Sequence, residues 1–377
     1  MLDAIVLGLG VMGGAALHRM ALAGLRVRGL DRFDVPNAMG SSHGGTRVTR
    51  KAYYEDPRYV PLLHRSWDLF RELERERGET LLVQTGGLYF GEPGSLGLEG
   101  VERTVREHAL AHERLDAAAI RRRFPMFAPA DDDVGIFEEA AGALLAERCV
   151  AAQIELAIAA GAEARARERA TAIEIGAAGV RVTTDRGVHE AERLVLATGA
   201  WTKDGLVELE LPLIVERQVQ LWLAPRDRAL FTIERMPVFM RFGADGAFYG
   251  LPPLALPGVK VCRHHGGEHT RADALDRSLR PADEDDVRAF VRRHVPLADG
   301  ALLGARVCMY TSTPDEHFVV GVHPVHPRVL VMAGFSGHGF KLAPALGEAI
   351  AELATRGAST HDLSLFDPSR FSARSAP

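Results

Sequence analysis

Hydrophobic positions follow two periods along this chain, and each places a different kind of element. Leu2-Asp3-Ala4-Ile5-Val6-Leu7 is a short apolar run that predicts a buried strand. A helix is expected from Ala15 to Ala23, closed by Gly24, and a second strand from Arg26 to Leu30 ends at Asp31. Val60 to Arg77 carries Leu63, Trp67, Phe70 and Leu73 at helical spacing, with the acids and arginines between them forming a solvated face. Gln84 to Phe90 reads as a strand after a turn, Asp131-Asp132-Asp133 as an exposed loop, and Ala146 to Ala160 as a helix closed by Gly161. Residues 172–175, 180–184 and 189 onward form a small meander that feeds the apolar strand at Leu194. From Gln218 to Leu223 the pattern is β-rich, and 248–253 and 259–262 read as antiparallel strands. Pro281 opens a helix to His294, with acids in its first turn. The chain then repeats its opening motif: strand 329–333, a glycine-rich turn, and a helix from Ala343 to Thr355. The C-terminal segment is therefore expected to rejoin the N-terminal one.

The first strand and helix are joined by Gly8-Leu9-Gly10-Val11-Met12-Gly13-Gly14. In this strand–turn–helix–strand context the glycines form a dinucleotide fingerprint. Gly8 permits the tight turn, Gly10 lets the backbone approach a pyrophosphate, and Gly13 lets helix and strand pack closely. The helix N-terminus offers free N–H groups and partial positive charge to the phosphates. Asp31 is placed to accept from a ribose hydroxyl, which argues against a 2′-phosphate but does not separate NAD from FAD. Leu194 to Trp201 ends in Ala197-Thr198-Gly199-Ala200. This is either a second close backbone approach to the dinucleotide, through Thr198 and Gly199, or an ordinary strand end with a terminal glycine.

Composition narrows the class. The 377 residues allow two domains, each with a core, and a hydrophobic content of 47% with 25% charged residues is that of a soluble globular chain. The net charge of −5 points to no nucleic-acid partner. No apolar run is long enough for a membrane span. The N-terminus is already a strand, which leaves no room for a signal peptide, and the C-terminal Ser375-Ala376-Pro377 carries no targeting motif. Cys149, Cys262 and Cys308, odd in number and far apart, suit a reducing cytoplasm.

Three segments stand out: Gly40-Ser41-Ser42-His43-Gly44-Gly45-Thr46-Arg47-Val48-Thr49-Arg50; Arg306-Val307-Cys308-Met309-Tyr310 with Thr313-Pro314-Asp315; and Ser336-Gly337-His338-Gly339-Phe340-Lys341. Taken one at a time they have plain readings. Cys308 is a buried small hydrophobe, the arginines make surface ion pairs, and Lys260 is a strand-edge lysine facing solvent. His264, His265 and His269 read as one pocket histidine and two loop histidines, with no ligand set for a metal.

Taken together and in this order, the segments and the fingerprint resemble the monomeric sarcosine oxidase family, which includes N-methyltryptophan oxidase, over nearly the whole chain. Thr313-Pro314-Asp315-Glu316-His317-Phe318, continuing to His323-Pro324, is closer to the sarcosine branch. The resemblance implies an α/β (α+β) fold in which a Rossmann-like FAD-binding domain (1–78, 147–212 and 317–377) is interleaved with a substrate domain on a mainly antiparallel sheet (79–146 and 213–316). It implies FAD attached covalently through Cys308. Gly8, Gly10, Gly13, Asp31, Ser41, Thr46, Thr198, Gly199, Gly337, His338 and Gly339 would also contact the cofactor. Arg50 and Lys341 would clamp a substrate carboxylate. Arg47 would lie against the flavin, Lys260 would activate O2, and His264, Tyr249 and Tyr310 would line the substrate pocket. Cys149 and Cys262 would be structural. The implied reaction is oxidation of a secondary amino acid by O2, sarcosine first, by a cytoplasmic monomer with no nucleic-acid or membrane partner. The alternatives are another N-methyl or cyclic amino acid, a bulkier secondary amine, or a non-covalent FAD oxidase or dehydrogenase. Two departures from the family pattern bear on the pocket: prolines and aliphatics at 251–256, and Arg263 immediately before His264.

Overall fold

The computed structural model describes residues 1–203 and 211–371. Residues 204–210 and 372–377, which fall within two expected domain segments and include the C-terminal tripeptide, lie outside the described residues.

Leu2–Leu7 forms the expected strand and sits in the middle of an eight-stranded sheet. Ile5 pairs in parallel with Leu194 on one side and with Arg28 on the other. A strand paired on both edges and covered on both faces has few polar positions, hence its apolar run. The strand Val188–Leu196 carries the topology. One edge pairs with Leu2–Leu7, and the other is shared between antiparallel Val180–Thr184 and parallel Val329–Ala333. The C-terminal segment thus returns to the N-terminal sheet, and the small meander extends that same sheet.

Helix Val11–Leu22 starts four residues before its expected beginning. Gly13 and Gly14 weaken helical propensity locally, but packing overrides it. The helix lies against Ala343–Arg356 and Ala146–Ala159, and a Cβ on Gly347 would sit 2.6 Å from the backbone of Ala15. Small residues are what permit this approach. Helix Val60–Arg77 matches its expected bounds, ending at Gly78 with φ 62°. Its buried stripe is Leu62, Leu63, Ser66, Leu69, Phe70 and Leu73; Trp67 is only half-buried, with Lys51 and Arg71 over its ring.

The second sheet has nine strands and is antiparallel apart from the pairing of Gly87–Gly91 with Val238–Gly243. A third, three-stranded sheet joins Thr46–Thr49, Gly142–Leu145 and Leu82–Gln84. Strands of the first sheet all fall in the segments expected to bind cofactor, and those of the second in the segments expected to bind substrate. Helices Leu96–Glu107 and Ala117–Arg123 were not foreseen from the pattern. Asp133 departs from the exposed loop expected of it. It is buried, accepts from the Ala130 N–H at 3.1 Å, and lies 3.9 Å from Arg241. No helix among the described residues is long and apolar enough to cross a membrane.

Candidate active site

A cavity of about 370 Å³ runs from the end of the Val27–Leu30 strand to the turn before Ala343. Its first end is built by the glycine fingerprint. Gly8 has φ 87°, and a Cβ there would meet Ala197 O at 2.4 Å. One on Gly13 would sit 1.7 Å from Gly8 O, so the turn and the helix touch because position 13 lacks a side chain. Gly10, at the helix N-terminus, has extended backbone and no side-chain cap; the Val11 N–H donates to Ser42 Oγ at 3.1 Å. Asp31 lies on the wall and is buried, which raises its pKa. Its carboxylate accepts from the N–H groups of Leu9 and Phe33, both at 2.8 Å, leaving each oxygen a further lone pair. Thr198 and Gly199 line the same end. Glu168, which the sequence did not single out, joins them, fixed by Thr184 Oγ1 at 2.8 Å and by His189. It sits in a run of arginines and acids that reads as surface. A helix N-terminus opening on the cavity, a buried acid with free lone pairs and a turn that only glycines can close are features that fit a bound FAD.

Midway along the cavity, Cys308 projects from the strand Leu302–Ser312 and receives the Gln220 amide N–H at 3.2 Å. Ser41 Oγ donates to Met309 O at 2.7 Å. Arg47 is on the wall, its guanidinium donating to Thr46 O at 2.8 Å and Ser41 O at 2.7 Å. Lys260 is not on the wall. It is 1% exposed and lies one layer behind, donating to Gly44 O and Thr46 O, both at 2.9 Å. Burial, and then Arg47, push its pKa down to about 7. Thr46, Gly13 and Gly339 likewise shape the wall from behind rather than facing the cavity.

The far end is a buried polar cluster. Arg50 is 2% exposed and stacks over Tyr53 and Tyr54. Its Nη2 donates to both Glu55 oxygens, at 2.6 and 2.8 Å, and its Nη1 to Ala52 O at 3.1 Å. Burial would raise the Glu55 pKa, but Arg50 holds it below the usual carboxylate value. Lys341 donates to His338 O at 2.6 Å, and burial together with Arg50 lowers its pKa to about 7. His338 lies between Tyr53 OH, 2.6 Å from Nδ1, and Glu316 O, 2.9 Å from Nε2. A carbonyl only accepts, so Nε2 carries the proton and Nδ1 accepts from Tyr53. Burial keeps this ring neutral, with a pKa of about 3.

Tyr249, His264 and Tyr310 close the pocket. His264 Nδ1 lies 3.2 Å from Tyr310 OH, and Nε2 is buried with no partner among the described residues. Gly337, in the left-handed region at φ 76°, lies under Tyr310, where a Cβ would approach the ring to 2.3 Å. His265 follows the strand Val259–His264 with φ 63° near Glu216, and His269 begins a two-residue strand rather than lying in a loop. Neither departure from the family pattern reaches the cavity. Arg263 turns away to pair with Asp286 at 2.6 Å, and 251–256 line no part of the wall. Glu55, Tyr53 and Gln220 carry no motif and were missed, though Glu55 stands only five residues beyond Arg50.

Residues 3–353 match the family model described as FAD dependent oxidoreductase, and the chain belongs to that family. Among its relatives, monomeric sarcosine oxidase of Streptomyces avermitilis is 42% identical over 99% of both chains. N-methyl-L-tryptophan oxidase of Salmonella dublin is 35% identical over 98% of this chain and 99% of its own. A solved structure of NikD, described as an unusual amino acid oxidase essential for nikkomycin biosynthesis, matches with a TM-score of 0.86 at 26% identity over 97% of each chain. The resemblance read from the motifs is borne out, and with it FAD dependence, the α/β fold and a flavin-dependent amine oxidoreductase.

Proposed function

We propose that the protein oxidises a secondary amino acid, sarcosine foremost, to glycine, formaldehyde and hydrogen peroxide, with O2 and water consumed. The observation that carries this reading is the convergence of Arg50 and Lys341, both buried, at one end of a cavity whose other end is a dinucleotide cradle. Two buried cations define a carboxylate site, and an Arg fork suits a carboxylate in particular. His264 lines the same space, and its buried Nε2 has no partner among the described residues. FAD, held by the residues around Gly8, Gly10 and Asp31, would supply a hydride acceptor that O2 can reoxidise. The chain holds the amino acid for that transfer. Arg50 and Lys341 fix the carboxylate, and their positive charge disfavours the ammonium form of the amine. Tyr249, His264 and Tyr310 bound the N-methyl end. In this reading Cys308 would carry the flavin covalently, Arg47 would stabilise negative charge on the ring, and Lys260, from one layer behind the wall, would stabilise through space the anion formed when O2 is reduced. The FAD domain comprises 1–78, 147–212 and 317–377. The enzyme works as a cytoplasmic monomer, in keeping with three free, buried cysteines.

Sarcosine is favoured over bulkier amines by the likeness to relatives named monomeric sarcosine oxidase. A panel of secondary amines under peroxide detection tests this: sarcosine should give the highest kcat/KM, and a preference for N-methyltryptophan or a cyclic imino acid would overturn it. Acid precipitation tests the attachment. A yellow wild-type pellet beside a colourless Cys308→Ala pellet is expected, and yellow confined to the supernatant of the wild type would refute it.

A further inference from the structure

We propose that Gln220 is a positioning residue for flavin attachment, aligning Cys308 and stabilising negative charge on its sulfur while the thioether forms. The proposal rests on covalent attachment at Cys308. Gln220 is 2% exposed, on the strand Ile214–Leu223, where it faces Arg306 in register while its neighbour Gln218 pairs with Cys308. Its Nε2 donates to Sγ at 3.2 Å, and both residues line the cavity. Its Oε1 is buried with no partner among the described residues. A buried amide left half-satisfied is unfavourable for stability alone. A residue kept only to fill this space would more stably be leucine or methionine. The fold also makes room for the amide. Gly44 has φ 96°, and a Cβ there would come within 2.1 Å of Gln220 Oε1. The turn that seats Lys260 is thus also the turn that admits this side chain.

The chemistry states what the amide does. Thioether formation joins Sγ to the 8α-methyl carbon, with loss of the thiol proton and of one hydrogen from that methyl. O2 takes up both hydrogens with two electrons, leaving as hydrogen peroxide. The thiolate is the nucleophilic form, and an N–H aimed at sulfur strengthens as charge gathers there. Gln220 therefore acts on the rate of attachment and not on the binding of FAD.

The test uses apoprotein mixed with FAD in air, sampled over time by acid precipitation and by the mass of the intact chain. Gln220→Leu should slow attachment about tenfold or more. Gln220→Glu, which sets a carboxylate against the sulfur, should slow it further. Non-covalent FAD binding, read from flavin fluorescence in a Cys308→Ala background, should change less than threefold in both, which shows that they fold. Wild-type attachment rates in both variants would overturn the proposal, and faster attachment in Gln220→Glu would replace donation by base catalysis. An absence of attachment in the wild type itself would instead refute the role of Cys308.

Discussion

Replacing Glu55 by glutamine separates two uses of Arg50. In the present arrangement one arm of the guanidinium is held by the Glu55 carboxylate at 2.6 and 2.8 Å, with both groups buried. A substrate carboxylate arriving at the same guanidinium would meet that charge at about 5 Å. At an effective dielectric of about 20 the repulsion is about 3 kcal/mol, a ceiling of about a hundredfold in affinity. Glutamine keeps the shape and an acceptor for Arg50 but removes the charge. Glu55→Gln should therefore bind acetate, a carboxylate without an amine, at least tenfold more tightly than wild type. It should also lose about 1–3 kcal/mol of stability, because the buried guanidinium has lost its charged partner. Glu55 also supports the ammonium form of Lys341, so the comparison belongs in a Lys341→Met background, where that charge is absent from both proteins. The assay is a titration of the oxidised flavin spectrum with acetate, beside a thermal melt. Unchanged or weaker acetate binding in a folded, flavin-loaded variant would refute the reasoning, because Arg50 would then not be where the carboxylate binds.

Gly337→Ala places a methyl within 2.3 Å of the Tyr310 ring at a residue with φ 76°. Strain of about 1–2 kcal/mol and a ring displacement of roughly 1 Å should lower kcat/KM about a hundredfold, measurable with a melt and steady-state rates; near-normal kinetics would show that Tyr310 does not set the geometry. Lys341 titrates at about 7 in the free site, and an arriving anion stabilises its ammonium form. Acetate binding should thus take up a proton above pH 7 and weaken by up to about tenfold per pH unit, seen by calorimetry in buffers of different ionisation enthalpy and abolished in Lys341→Met. Lys260→Met should leave anaerobic flavin reduction by sarcosine within about threefold and slow reoxidation by O2 about a hundredfold, the worth of one charge at roughly 5 Å. Equal loss in both half-reactions would assign Lys260 a structural role through Gly44 O and Thr46 O.

What the sequence revealed was what neighbouring residues dictate to one another. The fingerprint was legible because Gly13 answers a steric demand set by Gly8 O within six residues of chain, although the demand on Gly8 itself comes from distant Ala197. Val60–Arg77 was legible because an apolar stripe ended at a residue that can adopt φ 62°. Asp133 was not, because its burial is decided by Arg241, a residue more than a hundred positions away. The same holds for the partners in the site. Tyr53 and His338 meet across 285 positions, Lys260 and Gly44 across 216, and Gln220 and Cys308 across 88. A motif names the cation or the thiol; only the sheet register and the turn at Gly44 and Gly45 name what stands beside it.

Those partners reveal a device used twice. Each proposed anion site pairs an arginine with a buried lysine: Arg50 with Lys341, Arg47 with Lys260. In each pair burial acts first and the arginine second, and the lysine is brought to about 7. The arginine supplies charge at any working pH. The lysine spares the empty site a second full charge and takes up a proton when an anion arrives: the substrate carboxylate in one place, reduced oxygen in the other. Both half-reactions should then lose rate or affinity as pH rises through about 7, each by its own lysine. Lys341→Met should flatten only the pH dependence of carboxylate binding, and Lys260→Met only that of reoxidation. A single substitution that flattened both would mean that the two lysines titrate as one coupled group rather than as two local responses.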